Sequence, residues 1–273
     1  MPKYRLDSLL VDRQLCVSRS LAQRLIRAGE VRVNGQVLDK PGTEVDGECQ
    51  LELRRKPPFV SRGGEKLQKA LQLYSLNVRG RICLDGGIST GGFTDCLLQA
   101  GAKRVYGVDV GYGQVAWSLR QDERVVLRER VNFRHLTPAQ LYGEQEPADL
   151  GVMDLSFISL TQVLMPLWQL LVAPREVVLL IKPQFEVGRL QVGKKGVVRS
   201  SQAQAQAIER ICQQASGLGW HYGGLTPSPL KGPAGNVEYL LWLREDLATV
   251  YPDSAAIAAL TALAMQVDSP PSH

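Results

Sequence analysis

Four charged side chains follow apolar runs that read as strands, and they are the first candidates for chemistry. They are Asp85, Asp109, Asp154 and Lys182. Ligands of parallel α/β sheets bind beyond the carboxyl ends of the strands, so these four groups are expected to converge on one edge. The alternative at each position is that the charge only marks the point where the strand reaches water.

Lys182 is the most informative of these residues. It directly follows the apolar run Val177–Ile181 and precedes a proline. Burial at the end of a strand favours a neutral amine, which can act as a general base. Asp154 would orient that amine or offset its charge.

A glycine-rich loop follows the first of these strands. Asp85 opens the run Asp-Gly-Gly-Ile-Ser-Thr-Gly-Gly, and Phe93–Ala100 reads as the helix after it. Glycine has no Cβ, so a ligand can approach the backbone of such a turn. Asp109 ends the next predicted strand, 24 positions after Asp85. This spacing predicts one βαβ unit with an acidic group placed for ribose hydroxyls.

The loop is neither a strict G-x-G-x-x-G nor a P-loop with Lys-Ser/Thr, so a pyrophosphate cradle is not the first choice. One acidic residue before Gly87 better suits S-adenosylmethionine, whose ammonium group pairs with a carboxylate. The competing interpretation is an ordinary strand-to-helix turn with structural glycines.

Composition limits the protein class. The chain has 273 residues, 44% of them hydrophobic, which is enough for one large and one small domain. There is no apolar run that could span a bilayer and no signal-peptide core at Met1–Arg5, so we expect a cytoplasmic protein. Five cysteines without a Cys-x-x-Cys pair and only three histidines predict free thiols and no metal site.

The positive charge is concentrated near the N-terminus. The net charge is +5, and residues 1–64 hold 12 Lys/Arg against 8 Asp/Glu, compared with 20 against 19 in the rest. This asymmetry indicates a nucleic-acid-facing module. A merely solvated basic surface is the alternative.

The first fifty residues predict a small α+β unit. Apolar spacing predicts a helix over Arg5–Gln14, and Ser18 is a candidate N-cap for a second helix that ends near Gly29. An Asn-Gly hairpin over Val31–Leu38 follows, and Leu51–Leu53 returns as a strand. Arg19, Gln23 and Arg27 share one face of the second helix, which favours phosphate contacts over a solvated face.

The run from Ser18 to Val37 resembles the S-four-type RNA-binding domain, and the likeness covers roughly Tyr4 to Leu53. It implies binding to structured RNA through the arginine face of the second helix. The residues assigned to RNA binding are Arg5, Arg19, Gln23, Arg24, Arg27 and Arg32.

Beyond this unit, strands alternate with helices, which predicts an α/β, Rossmann-like domain with a mostly parallel, doubly wound sheet. The predicted organisation is an RNA-binding domain over 1–53, a linker over 54–60 with Pro57 and Pro58, a catalytic domain over 61–268 and a disordered tail over 269–273. A helix interrupted by Pro166 is expected over Ile158–Leu171, and buried strands over Glu176–Ile181 and Tyr239–Leu243.

Seven motifs in order resemble the TlyA family of rRNA 2′-O-methyltransferases, also labelled hemolysin A, whose catalytic domain is similar to the FtsJ-type methyltransferase fold. The resemblance runs from Tyr4 to about Arg244. The matching stretches are 60–66, 85–95, 109–114, 154–159, 182–188, 193–199 and 232–238.

This resemblance implies the site residues. The family's catalytic Lys-Asp-Lys-Glu set falls on Lys66, Asp154, Lys182 and Glu238. Its S-adenosylmethionine site falls on Asp85, Gly87, Ser89, Thr90, Gly91, Gly92, Phe93 and Asp109, with Asn132 at the adenine edge. One departure is Ile88, where the family usually has alanine, and its bulk is expected to crowd the methionine part of the cofactor.

The predicted function is 2′-O-methylation of a ribose, a cytidine by family likeness, in ribosomal RNA of subunits or assembly intermediates. Lys182 would take the hydroxyl proton and Lys66 would stabilise the developing alkoxide, with no metal. Three alternatives stay open: a non-catalytic RNA-binding assembly factor, a membrane-active hemolysin and a pseudouridine synthase.

Overall fold

A computed structural model of the chain describes residues 3–16, 18–53, 57–247 and 251–266. The chain divides into two compact units, with the boundary between Pro57 and Pro58. The predicted tail, residues 269–273, and residues 54–56 of the predicted linker lie outside the described residues. No helix in the described ranges is long and apolar enough to cross a bilayer.

The described residues of the first unit form two helices and five short strands. In chain order they are β1 (Lys3–Arg5), α1 (Leu6–Asp12), α2 (Arg19–Arg27), β2 (Val31–Val33), β3 (Gln36–Val37), β4 (Glu44–Asp46) and β5 (Leu51–Leu53). Strand β1 pairs with β4, and β2 pairs with β3 and β5, all antiparallel. The core is formed by the inner faces of the two helices and by β2, with Leu6, Leu10, Ile26 and Val31 fully buried.

Local signals predicted this unit well. The Ser18 hydroxyl accepts a hydrogen bond from the Leu21 N–H (3.3 Å), as an N-cap does. Asn34 and Gly35 both have positive φ, 50° and 81°, as a two-residue hairpin turn requires. The pair β1 and β4 was not predicted, because three-residue strands carry too little alternation to be read.

The second unit is built on a seven-stranded sheet. Its strands are β6 (Ile82–Gly86), β7 (Arg104–Val108), β8 (Val125–Arg128), β9 (Leu150–Met153), β10 (Glu176–Ile181), β11 (His221–Pro227) and β12 (Tyr239–Arg244). Its helices are α3 (Gly63–Leu73), α4 (Gly92–Gln99), α5 (Trp117–Arg120), α6 (Pro138–Tyr142), α7 (Leu164–Leu170), α8 (Pro183–Glu186), α9 (Ser201–Leu218) and α10 (Ser254–Gln266). Short 3-10 turns lie at Phe133–His135, Leu160–Gln162 and Arg189–Gln191.

The strand order is β11-β12-β10-β9-β6-β7-β8. Strands β6 to β10 are parallel, and β12 and β11 add antiparallel pairs at one edge. The order reverses between β6 and β9, so their carboxyl ends flank the crevice where such sheets bind ligands. Two apolar cores cover the two faces, and this confirms the predicted mostly parallel, doubly wound fold.

Two elements differ from expectation. The helix predicted over Ile158–Leu171 is a 3-10 turn followed by α7, and Pro166 lies in the first turn of α7, where a missing N–H costs nothing. Strand β11 was not predicted because two glycines interrupt its pattern. A Cβ at Gly223 would lie 2.4 Å from the Trp242 ring, so the glycine is needed for close packing.

Asp85, the fourth residue of β6, is fully buried. Its Oδ2 accepts a hydrogen bond from the Thr94 hydroxyl (2.6 Å), while Oδ1 has no hydrogen-bond partner. Burial raises the pKa of Asp85 to about 7, and the hydrogen bond from Thr94 only partly offsets this. The nearby charges of Asp154 and Asp109 raise it further. The folded protein therefore holds a proton here that an unfolded aspartate releases near pH 4.

This burial predicts a pH-dependent stability defect. Because the folded pKa is raised, the defect is small near pH 4, grows as the pH rises towards 7 and is constant above that. Asp85→Asn removes it, so the variant should gain stability over wild type at pH 8, and this gain should exceed the gain at pH 5 by on the order of 2 kcal/mol. Thermal unfolding of ligand-free protein at both pH values measures the difference. A gain that is equal at pH 5 and pH 8 would contradict the raised pKa.

Candidate active site

Two cavities of about 330 Å³ each lie at the carboxyl edge of the sheet. Both are lined by Gly87, Ser89 and Asp154, so they meet at the glycine loop. The first extends towards the start of α3, and the second extends along the end of β7 to Asp109. Together they form the crevice that the strand order creates.

The glycine loop lets other backbone segments approach closely. Gly87 has φ 84°, and a Cβ there would lie 2.7 Å from the Asp154 carbonyl oxygen. A Cβ at Gly92 would lie 2.3 Å from the Ser61 hydroxyl. The loop thus brings the ends of β6 and β9 and the start of α3 together around one cavity.

Asp109 fixes the far side of the loop. Its Oδ2 accepts a hydrogen bond from the Ser89 N–H (2.8 Å), and its Oδ1 accepts one from the Gly111 N–H (2.7 Å). Asp109 lines the second cavity and is half-buried. A carboxylate oxygen has two lone pairs, so Asp109 can still accept bonds from hydroxyl groups of a ligand.

Lys66 and Glu238 form the first lysine–carboxylate pair. Lys66 Nζ donates to Glu238 Oε2 at 2.6 Å, and the side chains are 11% and 1% exposed. Lys66 lies on α3 and lines the first cavity, whereas Glu238 directly precedes β12. The second oxygen of Glu238 is buried without a hydrogen-bond partner.

Asp154 and Lys182 form the second pair. The two residues directly follow the neighbouring parallel strands β9 and β10. Lys182 Nζ lies 2.6 Å from Asp154 Oδ1 and donates a hydrogen bond to the Ser156 hydroxyl (2.8 Å). Asp154 lines both cavities, while Lys182 lines neither and contacts Asp154.

Most of the predicted site residues surround these cavities. Those that line one or both are Lys66, Gly87, Ser89, Thr90, Gly92, Phe93, Asp109 and Asp154. Those that line neither are Asp85, Gly91, Asn132, Lys182 and Glu238. Asp85 contacts the loop helix, and Lys182 and Glu238 contact lining residues. A Cβ at Gly91 would lie 2.2 Å from Leu119, so this glycine serves packing against α5.

Asn132 and Ile88 have clear structural surroundings. Asn132 is exposed, and its Oδ1 accepts a hydrogen bond from the Arg134 N–H (3.1 Å), while its neighbours Val131 and Phe133 line the second cavity. Its contact with adenine stays a prediction. Ile88 is 3% exposed, and its Cδ1 occupies the space where a Cβ on Gly107 would lie. Ile88 also lines the first cavity, so the crowding of the cofactor stays a prediction.

Sequence patterns missed several residues of the site. Ser61 and Lys231 line the first cavity, although both lie in loops without periodicity. Glu186 accepts hydrogen bonds from the Ser159 hydroxyl (2.6 Å) and the Leu160 N–H (2.8 Å), which joins the segment after Asp154 to the segment after Lys182. Phe157, beside Ser156, is 91% exposed and contacts the Phe185 ring.

In the first unit, three of the predicted RNA-binding residues converge on Asp7. Arg5 donates two hydrogen bonds to its carboxylate (3.1 and 3.0 Å), Gln23 donates one (2.8 Å), and Arg19 lies 3.2 Å away. Asp7 is fully buried, yet the bond from Arg5, with help from Gln23 and Arg19, holds its pKa well below the usual range. One carboxylate therefore orders this basic face.

The other predicted cations lie near this face or on the hairpin. Arg24 and Arg27 line a shallow groove along α2 together with Ser18 and Gln23. Arg32 is exposed on β2. None of these three arginines has an acidic partner among the described residues, which leaves their guanidinium groups available to phosphates.

Comparison with known proteins agrees with this geometry. The FtsJ-like methyltransferase model matches residues 59–245, and the S4 domain model matches residues 5–50. A 16S/23S rRNA (cytidine-2′-O)-methyltransferase TlyA from Mycobacterium tuberculosis is 50% identical over 244 residues, which is 89% of this chain and 90% of that protein. Hemolysin A from Brachyspira hyodysenteriae is 39% identical over 86% of this chain and 98% of its own.

A solved structure from Streptococcus thermophilus that carries the name hemolysin has a TM-score of 0.73 and 41% identity, covering 97% of each chain. The order of the motifs, the fold and these matches lead to one assignment. This chain belongs to the FtsJ-like methyltransferase family, in the TlyA group that combines an S4 domain with an FtsJ-like catalytic domain.

Proposed function

We propose that this protein transfers a methyl group from S-adenosylmethionine to the 2′-hydroxyl of a ribose, a cytidine, in ribosomal RNA. The observation that carries the proposal is the presence of two lysine–carboxylate pairs beside the glycine loop. In each pair the lysine nitrogen lies 2.6 Å from a carboxylate oxygen. A ribose hydroxyl is a poor nucleophile at neutral pH, and it needs a base near its proton and a cation near its oxygen. This site offers one lysine for each task.

The residues around the loop fit S-adenosylmethionine. The cofactor supplies an electrophilic methyl group on a sulfonium and carries an ammonium, so it favours a negative environment. Asp109 and Asp154 line the cavities, and Asp85, at the start of the loop, has one oxygen buried without a partner. Asp109 would hold the ribose, and Gly87, Ser89, Thr90, Gly92 and Phe93 would line the methionine side.

Lys182 would remove the proton from the ribose hydroxyl. Asp154 lies 2.6 Å away and would stabilise the positive charge that the amine gains with the proton. Lys182 Nζ also donates a hydrogen bond to the Ser156 hydroxyl. This second contact fixes the orientation of the amine.

Lys66 would hold the attacking oxygen. Its ammonium faces the first cavity, and Glu238, at 1% exposure, keeps it in position. The Lys66 ammonium has three N–H groups. One donates to Glu238, so two remain for the substrate. This arrangement stabilises the alkoxide as the proton leaves, and the reaction needs no Lewis acid because the leaving group becomes neutral.

The first unit would bind structured RNA in ribosomal subunits or assembly intermediates. Its cations contact phosphates and carry no sequence information, so they position the substrate and leave selection to its shape. Because the substrate is ribosomal RNA, we place the reaction in the cytoplasm.

Replacement of the two lysines tests the catalytic assignment. Lys182→Ala and Lys66→Ala should each lower methyl transfer to unmodified ribosomal subunits by roughly 10²–10⁴-fold, and S-adenosylmethionine affinity should change little. Lys103→Ala, an exposed lysine at the opposite edge of the sheet, is the matched control. Full turnover in Lys182→Ala would refute the base assignment.

For Asp7→Asn we predict a change in RNA affinity opposite to the change expected from net charge alone. Removing a negative charge from a basic face should strengthen RNA binding, but here it releases Arg5, Arg19 and Gln23 from their fixed positions. We expect RNA affinity to fall roughly five- to tenfold. Asp39→Asn, with the same charge change at an exposed site, should bind as well as wild type or slightly better.

Filter binding below the unfolding temperature of each variant measures both affinities. If Asp7→Asn binds RNA as tightly as Asp39→Asn, the carboxylate does not order the binding face.

A further inference from the structure

We propose that the turn Gly193–Gly196, which presents Lys194 and Lys195, binds backbone phosphates of the RNA next to the target nucleotide. This lysine turn would give the catalytic unit its own grip on the substrate, separate from the basic face of the first unit. The inference rests on the proposed function, because it assumes an RNA substrate at the first cavity.

The charge of the surrounding segment supports an anionic partner. Residues 187–200 contain four cations and no acidic residue, and all four cations are exposed. They are Arg189, Lys194, Lys195 and Arg199. Within the described ranges, none of them forms an ion pair or a side-chain hydrogen bond. Elsewhere in the second unit, acidic residues slightly outnumber the cations, so this segment is locally basic.

The backbone of the lysine turn is well defined. The Gly196 N–H donates to the Gly193 carbonyl at 2.8 Å, which closes a four-residue turn. The Gly193 N–H donates to the Val197 carbonyl at 3.0 Å and ties the base of the turn. Lys194 and Lys195 therefore occupy the two corner positions, from which both side chains extend into solvent.

A buried asparagine attaches this turn to the wall of the first cavity. Asn236 is 1% exposed, its Nδ2 donates to the Gly196 carbonyl (2.8 Å), and its Oδ1 accepts from the Val198 N–H (2.9 Å). Its own carbonyl accepts a hydrogen bond from the Gly232 N–H (2.9 Å), and the neighbours of Gly232 line the cavity. Both ends of the Asn236 amide are used for this attachment.

The same attachment reaches both catalytic pairs. Asn236 lies two residues before Glu238, and the chain that leads to the turn leaves Lys182 through α8. The turn therefore lies between the segment that follows Lys182 and the segment that contains Asn236 and Glu238.

Phosphate is the chemistry that two flexible ammonium groups recognise best without base selectivity. A ribose whose 2′-hydroxyl enters the first cavity carries a phosphate on each side, and these remain outside at the rim. Cations fixed to the cavity wall would stop the strand from sliding and so hold the hydroxyl at the lysine pairs. The turn would act on the position of the substrate and not on the chemical step.

The test compares two full-length variants with equal charge change. Lys194→Ala/Lys195→Ala removes the turn's cations, and Arg79→Ala/Lys103→Ala removes two exposed cations before β6 and β7, at the opposite edge of the sheet. For the first variant we expect the KM for unmodified ribosomal subunits to rise roughly tenfold, with kcat and S-adenosylmethionine affinity unchanged. Its salt dependence of RNA binding should be shallower by about 1.5 in the log–log slope.

The outcomes separate the two proposals. Lys194→Arg/Lys195→Arg should restore the KM, and the control variant should match wild type. An unchanged KM and salt slope in the turn variant, with active wild type, would overturn the inference alone. A loss of S-adenosylmethionine affinity would assign the turn to the cofactor and also overturn it. If wild type transfers no methyl group, the proposed function fails, while RNA binding and its salt slope still decide the role of the turn.

Discussion

Charged groups that leave water must be paired, and the architecture of the second unit follows from this constraint. Two lysines and two carboxylates lie largely withdrawn from solvent at the carboxyl edge of one sheet, in pairs 2.6 Å apart. The pair of Asp154 and Lys182 needs β9 and β10 to be parallel neighbours. The pair of Lys66 and Glu238 needs α3 and the start of β12 to meet above the same edge. The doubly wound order satisfies both requirements at one place.

The glycine loop meets a second requirement, because it lets neighbouring backbone segments approach each other closely. Gly87 and Gly92 permit the ends of neighbouring elements to meet around the cavity, and Asp109 holds the loop from the far side through the Ser89 N–H. Ile88 is compatible with this arrangement because Gly107 leaves room for its Cδ1. The larger side chain at Ile88 thus occupies space that the missing side chain of Gly107 leaves open.

Much of the fold could be predicted from sequence, because its signals are local. The cap at Ser18, the Asn-Gly hairpin and strand β10 coincide with the predicted elements. Charges at strand ends indicated Asp154 and Lys182, since parallel neighbours bring such ends together. The pairing of Lys66 with Glu238 spans 172 positions, and only the family likeness indicated it. Asn236 and Asp7 were missed because the function of a buried polar side chain depends on its partners, which no periodicity reveals.

The lysine pairs are proposed to catalyse methylation of a ribose hydroxyl and not of a nucleobase. The most direct measurement incubates the protein with 30S and 50S subunits that lack the modification and with S-adenosylmethionine carrying a deuterated methyl group. Mass spectrometry of the released nucleosides then locates the label. The account predicts deuterium on the ribose of one cytidine. Label on a base, or no label on either subunit under conditions where the cofactor binds, would contradict it.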